Sequence, residues 1–379
     1  MIKFDSIVIG TGIVGSFTAL ELCKLKQNIL VIDQNGLSPG TTRSCDGNIL
    51  VADKTTKKLV EITNDGKKLW KDFIREFGNE CEYDEKGSIL VATQKDDAKK
   101  LGDHVEFQKK LGVNCSLVNG NYNLLETHLS KTNSEAVAHW PDDAQLQPMK
   151  LCFHIADICS NLNAKYNLYE KIIKVEKTKN GIEVTSSKNK IYFCDNLFIC
   201  AGVWTNDLLS LINKKIPIKP RKGSIVVLER GDLQINTKIS DFSYNRTVTN
   251  TDSHDTLVAA VIESTKSGTI LCGSSREFTG FDNTKTNPEV LKRILNDCVK
   301  LVPKLRDLRI IRSYSGLRSL TPDEFPIIGE IEPNIYVATG HEGSGHSLAT
   351  VTAKILSSFF FTNEYSHYKD IVSPDRFNV

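Results

Sequence analysis

Three glycines and an aspartate at the start of the chain carry the first chemical signal. Gly10-x-Gly12-x-x-Gly15 follows the apolar run Ser6-Ile7-Val8-Ile9, and Asp33 ends a second apolar run, Ile29-Leu30-Val31-Ile32. Gly10 permits a tight turn, Gly12 lets backbone come close to a pyrophosphate, and Gly15 lets a helix pack on the strand. Ile13 and Val14 begin that helix, whose free N–H groups attract phosphate. Asp33 then stands where a ribose hydroxyl can donate to it. This is the chemistry of dinucleotide binding.

A second glycine turn lies near the other end. Ile335-Tyr-Val-Ala-Thr-Gly340-His341-Glu342-Gly343-Ser344-Gly345-His346 reads as strand, turn and helix start. An NAD enzyme needs one helix N-terminus for its dinucleotide. A flavin enzyme gains from a second, because reduced flavin carries negative charge that such a helix end stabilises. Two such turns favour FAD over NAD. His341 and His346 flank the turn and can hydrogen-bond flavin or substrate, and a helix N-terminus there keeps a histidine neutral.

The remaining pattern supplies the frame for these groups. The spacing of Leu59, Ile62, Leu69, Phe73 and Phe77 predicts a helix over 55–78. Further helices are expected over 96–111, 147–162, 288–302 and 344–360. Strands are expected near 88–91, 172–175, 181–185, 190–193, 196–202, 221–230, 254–276 and 335–340. Dinucleotide features sit at the start, middle and end, so a second domain is expected to be inserted twice. The expected limits are 1–81, 151–221 and 315–379 for the nucleotide domain, and 82–150 and 222–314 for the substrate domain.

Composition bounds the partners. The chain has 379 residues, a formal net charge of +2 and 40% apolar residues. No basic field points to nucleic acid, and no apolar run reaches membrane-spanning length. Ten cysteines lie scattered without metal-ligand spacing, so reduced thiols, a cytoplasmic location and no metal are expected.

In these motifs the chain resembles the D-amino-acid-oxidase-like superfamily of FAD enzymes. The resemblance rests on Gly10-x-Gly12-x-x-Gly15, Gly40-Thr41-Thr42-Arg43-Ser44-Cys45-Asp46-Gly47-Asn48-Ile49, Cys200-Ala201-Gly202-Val203-Trp204 and Pro220-Arg221-Lys222-Gly223. It extends through Cys272-Gly273-Ser274-Ser275-Arg276-Glu277, Gly316-Leu317-Arg318-Ser319 and the Gly340–Gly345 turn. The Gly40–Asp53 segment and the last turn are most similar to the opine and hydroxyproline dehydrogenase branch. The fold implied is α/β: a Rossmann-like FAD domain of glutathione-reductase type, with a doubly inserted α+β substrate domain on a mixed or antiparallel sheet.

The resemblance also implies roles. Arg318 would bind a substrate carboxylate, with a structural ion pair to Asp323 or Glu324 as the competing reading. Arg276 and Tyr244 would line the substrate face, and His341 would join Arg318 in catalysis. Thr41, Thr42, Arg43 and Ser44 would donate to FAD, with Gly47 and Asn48 in the same loop. Gly202 would let the cofactor approach, and Ile173 or Val175 would offer backbone to adenine. The implied reaction is oxidation of the C–N bond of a small amino or imino acid by hydride transfer to flavin N5. The alternatives are a flavoprotein subunit passing electrons to partner chains, an NAD-dependent dehydrogenase, and a non-catalytic FAD-binding scaffold. Partner subunits and a homo-oligomer both stay open.

Overall fold

The computed structural model describes residues 2–120, 122–243, 256–281 and 285–378. Its first eight-stranded sheet is the nucleotide-binding one. Strands Ile335–Thr339, Ile191–Ile199, Ile2–Ile9, Ile29–Asp33 and Lys165–Leu168 run parallel in that spatial order. Strand Ile327–Glu332 closes one edge antiparallel. The hairpin Ile172–Thr178 and Gly181–Ser186 is stitched antiparallel onto Ile191–Ile199. The central strands are buried on both faces, which is why they read as continuous apolar runs.

Both faces of this sheet are covered. On one side, helices Ile13–Lys24, Lys57–Phe77, Pro148–Asn161 and Gly345–Ser357 enclose a core containing Phe17, Trp70 and Phe73. These three rings meet edge to face at centroid separations of 5.0–5.8 Å, the arrangement favoured by aromatic quadrupoles. On the other side, Phe4, Ile7, Leu30 and Leu197 pack with Val175 and Leu209.

One close helix crossing sets helix Gly345–Ser357 in place. Gly66 lies in the middle of Lys57–Phe77, and a Cβ there would stand 2.1 Å from the Ser347 carbonyl oxygen. Around it, Thr350 donates to the Gly66 carbonyl at 2.9 Å and Trp70 Nε1 to the His346 carbonyl at 2.7 Å. The start of helix Gly345–Ser357 is therefore held by buried hydrogen bonds as well as by packing.

The second eight-stranded sheet is mixed. Its order begins with Ile310–Leu320, Lys219–Glu229, Thr269–Arg276 and Leu257–Ser264. It continues through Lys238–Asp241, Ser88–Ala92, Ala136–Trp140 and Ser116–Leu117. Only Lys238–Asp241 against Ser88–Ala92 is a parallel pair among those described. Helix Pro288–Leu301 covers it through Val290, Ile294 and Cys298. Strands Lys219–Glu229 and Ile310–Leu320 pair over their full lengths and run through the expected limits at 221/222 and 314/315. They carry the chain from one sheet to the other.

Within the strand region expected over 254–276, the described residues form a hairpin, Leu257–Ser264 and Thr269–Arg276, turning at Thr265–Gly268. All ten cysteines are free thiols.

Candidate active site

A cavity of about 530 Å³ runs from the first glycine turn to the second. At one end Gly10 has φ +115°, and a Cβ there would stand 2.4 Å from the Cys200 carbonyl oxygen. No side chain can occupy that position without moving backbone. Gly12, Ile13 and Val14 line the cavity at the start of the first helix. The Ile13 N–H donates to Thr42 Oγ1 at 3.1 Å, which ties the Thr41–Ser44 turn to that helix. Asp33 lines the same end, with apolar wall from Ile172, Ile173, Leu208 and Leu211.

At the other end Gly343, Gly345, His341 and His346 line the wall. His341 Nε2 lies 2.9 Å from Thr352 Oγ1, and His346 Nδ1 lies 3.7 Å from Cys45 Sγ. Burial lowers both imidazole pKa values to about 4, against a weak opposing pull from Asp46 on His346. Both rings are neutral at pH 7. Lys54 anchors the turn from behind by donating to Ser344 Oγ at 2.6 Å.

Arg318 lines the cavity beside this turn. Its Nη1 donates to the Ser275 carbonyl at 3.0 Å. A Cβ on Gly223 would stand 2.2 Å from that nitrogen, so the glycine of Pro220–Gly223 makes room for the guanidinium. Ser275 is itself held by its hydroxyl donating to Glu277 Oε1 at 2.7 Å, and Glu277 pairs with buried Lys222 at 3.1 Å. Arg318 does not pair with Asp323, which accepts from Arg376 at 2.7 and 3.1 Å. Its carboxylate neighbour is Glu342, with Nε 3.8 Å from Oε1.

Glu342 is the residue that sequence reasoning missed. Arg221 donates to its Oε1 through Nε at 3.1 Å and through Nη2, and Arg276 Nε lies 4.0 Å away. Burial alone would raise this carboxyl, but the Arg221, Arg276 and Arg318 guanidiniums hold it well below the usual carboxylate range. The signal was present in type but not in place. Glu342 lies inside the second glycine turn, and Arg221 inside Pro220–Gly223. Arg221 stands opposite Arg318 in strand register, where like charges need a shared counter-ion.

The structure brings many of the expected residues to this cavity. Thr41, Thr42, Ser44 and Gly202 line it with those already named. Others serve elsewhere. Gly15 packs against the Gly10 carbonyl, Gly47 against the Leu146 carbonyl and Gly340 against Thr321. Arg43 is exposed on the loop surface. Asn48 lines a separate small cavity of about 20 Å³. Val175 is buried in the apolar core, and Glu170–Ile173 provide the cavity wall near it. Arg276 is buried behind the wall and reaches Glu342 rather than the cavity. Tyr244 lies outside the described residues.

The cavity thus joins a phosphate cradle to a pocket that presents one guanidinium, Arg318, and that defines a dinucleotide-dependent oxidoreductase as its class. Residues 5–358 match the DAO family, FAD dependent oxidoreductase, and the chain belongs to that family. It is 21% identical over 364 residues to glycine oxidase of Geobacillus kaustophilus (strain HTA426), covering 94% of this chain and 92% of that protein. It is 31% identical over 169 residues to hydrogen cyanide synthase subunit HcnC of Pseudomonas aeruginosa (strain PAO1), covering 44% and 36%. L-proline dehydrogenase from P.horikoshii has the same fold, with a TM-score of 0.87 at 23% identity over 100% of this chain and 98% of that one.

The residues present fit FAD. A Cβ on Gly12 would meet only Thr42 Oγ1, at 3.2 Å, and one on Gly202 would meet nothing within 4 Å, so both leave cavity space open. Helix Gly345–Ser357 has Ser344 at its N-cap position with no side-chain cap, and Gly345 lines the cavity, so its N-terminal partial charge faces the same space.

Proposed function

We propose that this FAD-dependent oxidoreductase oxidises the C–N bond of a small amino or imino acid. One observation carries the reading. Arg318 lies on the cavity wall with Gly343 beside it, a Gly343 Cβ standing 3.9 Å from its Nε. A guanidinium in that place suits a carboxylate. The names of the relatives agree, glycine oxidase and D-amino acid dehydrogenase among them.

In this reading the substrate enters between a nucleotide unit (1–81, 151–221 and 315–379) and an inserted one (82–150 and 222–314). Bound FAD would supply the acceptor for a hydride, which carries both electrons of the oxidation. Gly10–Val14, Asp33 and the Thr41–Ser44 turn hold the cofactor. Arg318 fixes the carboxylate and so orients the α-carbon, which lowers the entropic part of the barrier. The neutral rings of His341 and His346 shield the site from water and add no charge. The helix start at Gly345 offers partial positive charge where negative charge develops.

The test is an anaerobic titration of the FAD-loaded protein with glycine, sarcosine, D- and L-proline, other D-amino acids and opines. Loss of the visible flavin band with one of them supports the reading. Loss only with hydroxy acids would overturn it. The subunit name of the HcnC relative favours a second reading for the electrons, which would pass to a partner chain. Reduced protein that a dye reoxidises faster than oxygen does would support it. No helix among the described residues is long and apolar enough to cross a membrane.

A further inference from the structure

The arginine cluster holds more positive charge than it shows to the cavity. Arg221 and Arg276 have side chains 1% and 2% exposed, and neither lines the cavity wall. Arg318, 16% exposed, does. Glu342 lies between them and contacts all three guanidiniums. At this end of the cavity, the charged side chains on the described wall are one guanidinium, Arg318, and two carboxylates, Glu342 and Asp46.

We propose that Glu342 is a specificity-determining residue, a built-in carboxylate that engages Arg221 and Arg276 and limits the pocket to substrates with a single carboxylate. The inference rests on the amino-acid reading above and names the acid class within it. A substrate with one carboxylate takes Arg318 and leaves its amine near Glu342 and Asp46, where positive charge is favoured. A second carboxylate on the substrate meets Glu342 or Asp46 instead, and like charges in a buried site repel strongly. Without the Glu342 charge, the uncompensated positive field of Arg221 and Arg276 behind the wall would add to that of Arg318 on it, and a dicarboxylate would become the preferred guest.

The test uses inert acids, so it does not depend on which amine is oxidised. Propionate and malonate differ by a carboxylate in place of a methyl group. Their dissociation constants are read at pH 8 from the perturbation of the flavin spectrum of the FAD-loaded protein. The native protein is expected to bind propionate at least tenfold more tightly than malonate. Glu342→Gln is expected to reverse that order by at least tenfold. A native preference for malonate overturns the inference without any variant, so a Glu342→Gln protein that fails to fold does not shelter it. An unchanged ratio in a folded Glu342→Gln protein also overturns it. Failure of both acids to bind would remove the carboxylate pocket itself. Propionate preference with no amine oxidised would sink the proposed reaction and leave this inference standing.

Discussion

Asp33 holds Thr11 twice with one oxygen. Its Oδ2 accepts from the Thr11 backbone N–H and from the Thr11 hydroxyl, both at 2.9 Å, while Oδ1 accepts from the Asn35 N–H at 2.9 Å. The acid at the tip of the second strand therefore shapes the glycine turn as well as facing the cavity. Hydrogen bonds to a charged group are each worth about 1.5–3 kcal/mol. Asp33→Ala is expected to lower the melting temperature of the FAD-free protein and to weaken FAD binding at least tenfold. Melting with and without FAD, together with a fluorescence titration, separates the two roles. An unchanged melting temperature without FAD would exclude the turn-holding role.

Arg318→Lys keeps a positive charge but loses the planar fork. The variant is expected to retain FAD. Its half-saturating substrate concentration should rise roughly 100-fold, equivalent to about 2.7 kcal/mol, with a smaller change in the limiting rate of flavin reduction. Stopped-flow reduction across substrate concentrations gives both numbers. A loss confined to the limiting rate would argue against a carboxylate-binding role.

Gly66→Ala opposes local propensity to packing. Alanine in a helix interior gains about 1 kcal/mol over glycine. At this position the added Cβ would meet the Ser347 carbonyl oxygen at 2.1 Å, and overpacking of this kind costs about 1–3 kcal/mol. The expected result is a lower melting temperature and faster FAD release, because the start of helix Gly345–Ser357 must shift. A more stable variant would show that the two helices separate at little cost.

The two buried histidines set an acid limit on stability. Burial holds both at about 4, below the ordinary 6.5. Between those values the unfolded chain binds more protons than the folded one, so stability rises with pH. The stability is complete above pH 6.5 and is lost as pH falls towards 4, by about 3 kcal/mol per histidine. Urea midpoints at pH 5 and 7.5 measure the slope. His341→Gln should remove roughly half of it, and an unchanged slope would contradict the burial argument.

Much of the frame was legible because it is local. Strand, glycine turn, helix and acid follow one another within residues 6–33, and each has its own periodicity or turn chemistry. The helix Lys57–Phe77 was visible from its apolar spacing alone. The bridge between Asn48–Ile49 and Ala144–Gln145 was not, because two-residue strands carry no pattern. Gly66 gave no sign of its role, since the helix it approaches begins almost 280 residues later.

The arginine cluster marks the same division at the site. Residue order alone is enough for the two glycine turns, the acid at the second strand and an arginine after Gly316, because backbone conformation there depends on adjacent residues. That Arg221, Arg276 and Arg318 share Glu342 follows from strand register and burial across 121 residues of chain. Charge compensation in a low-dielectric interior depends on which groups folding brings together, and no spacing along the chain encodes that.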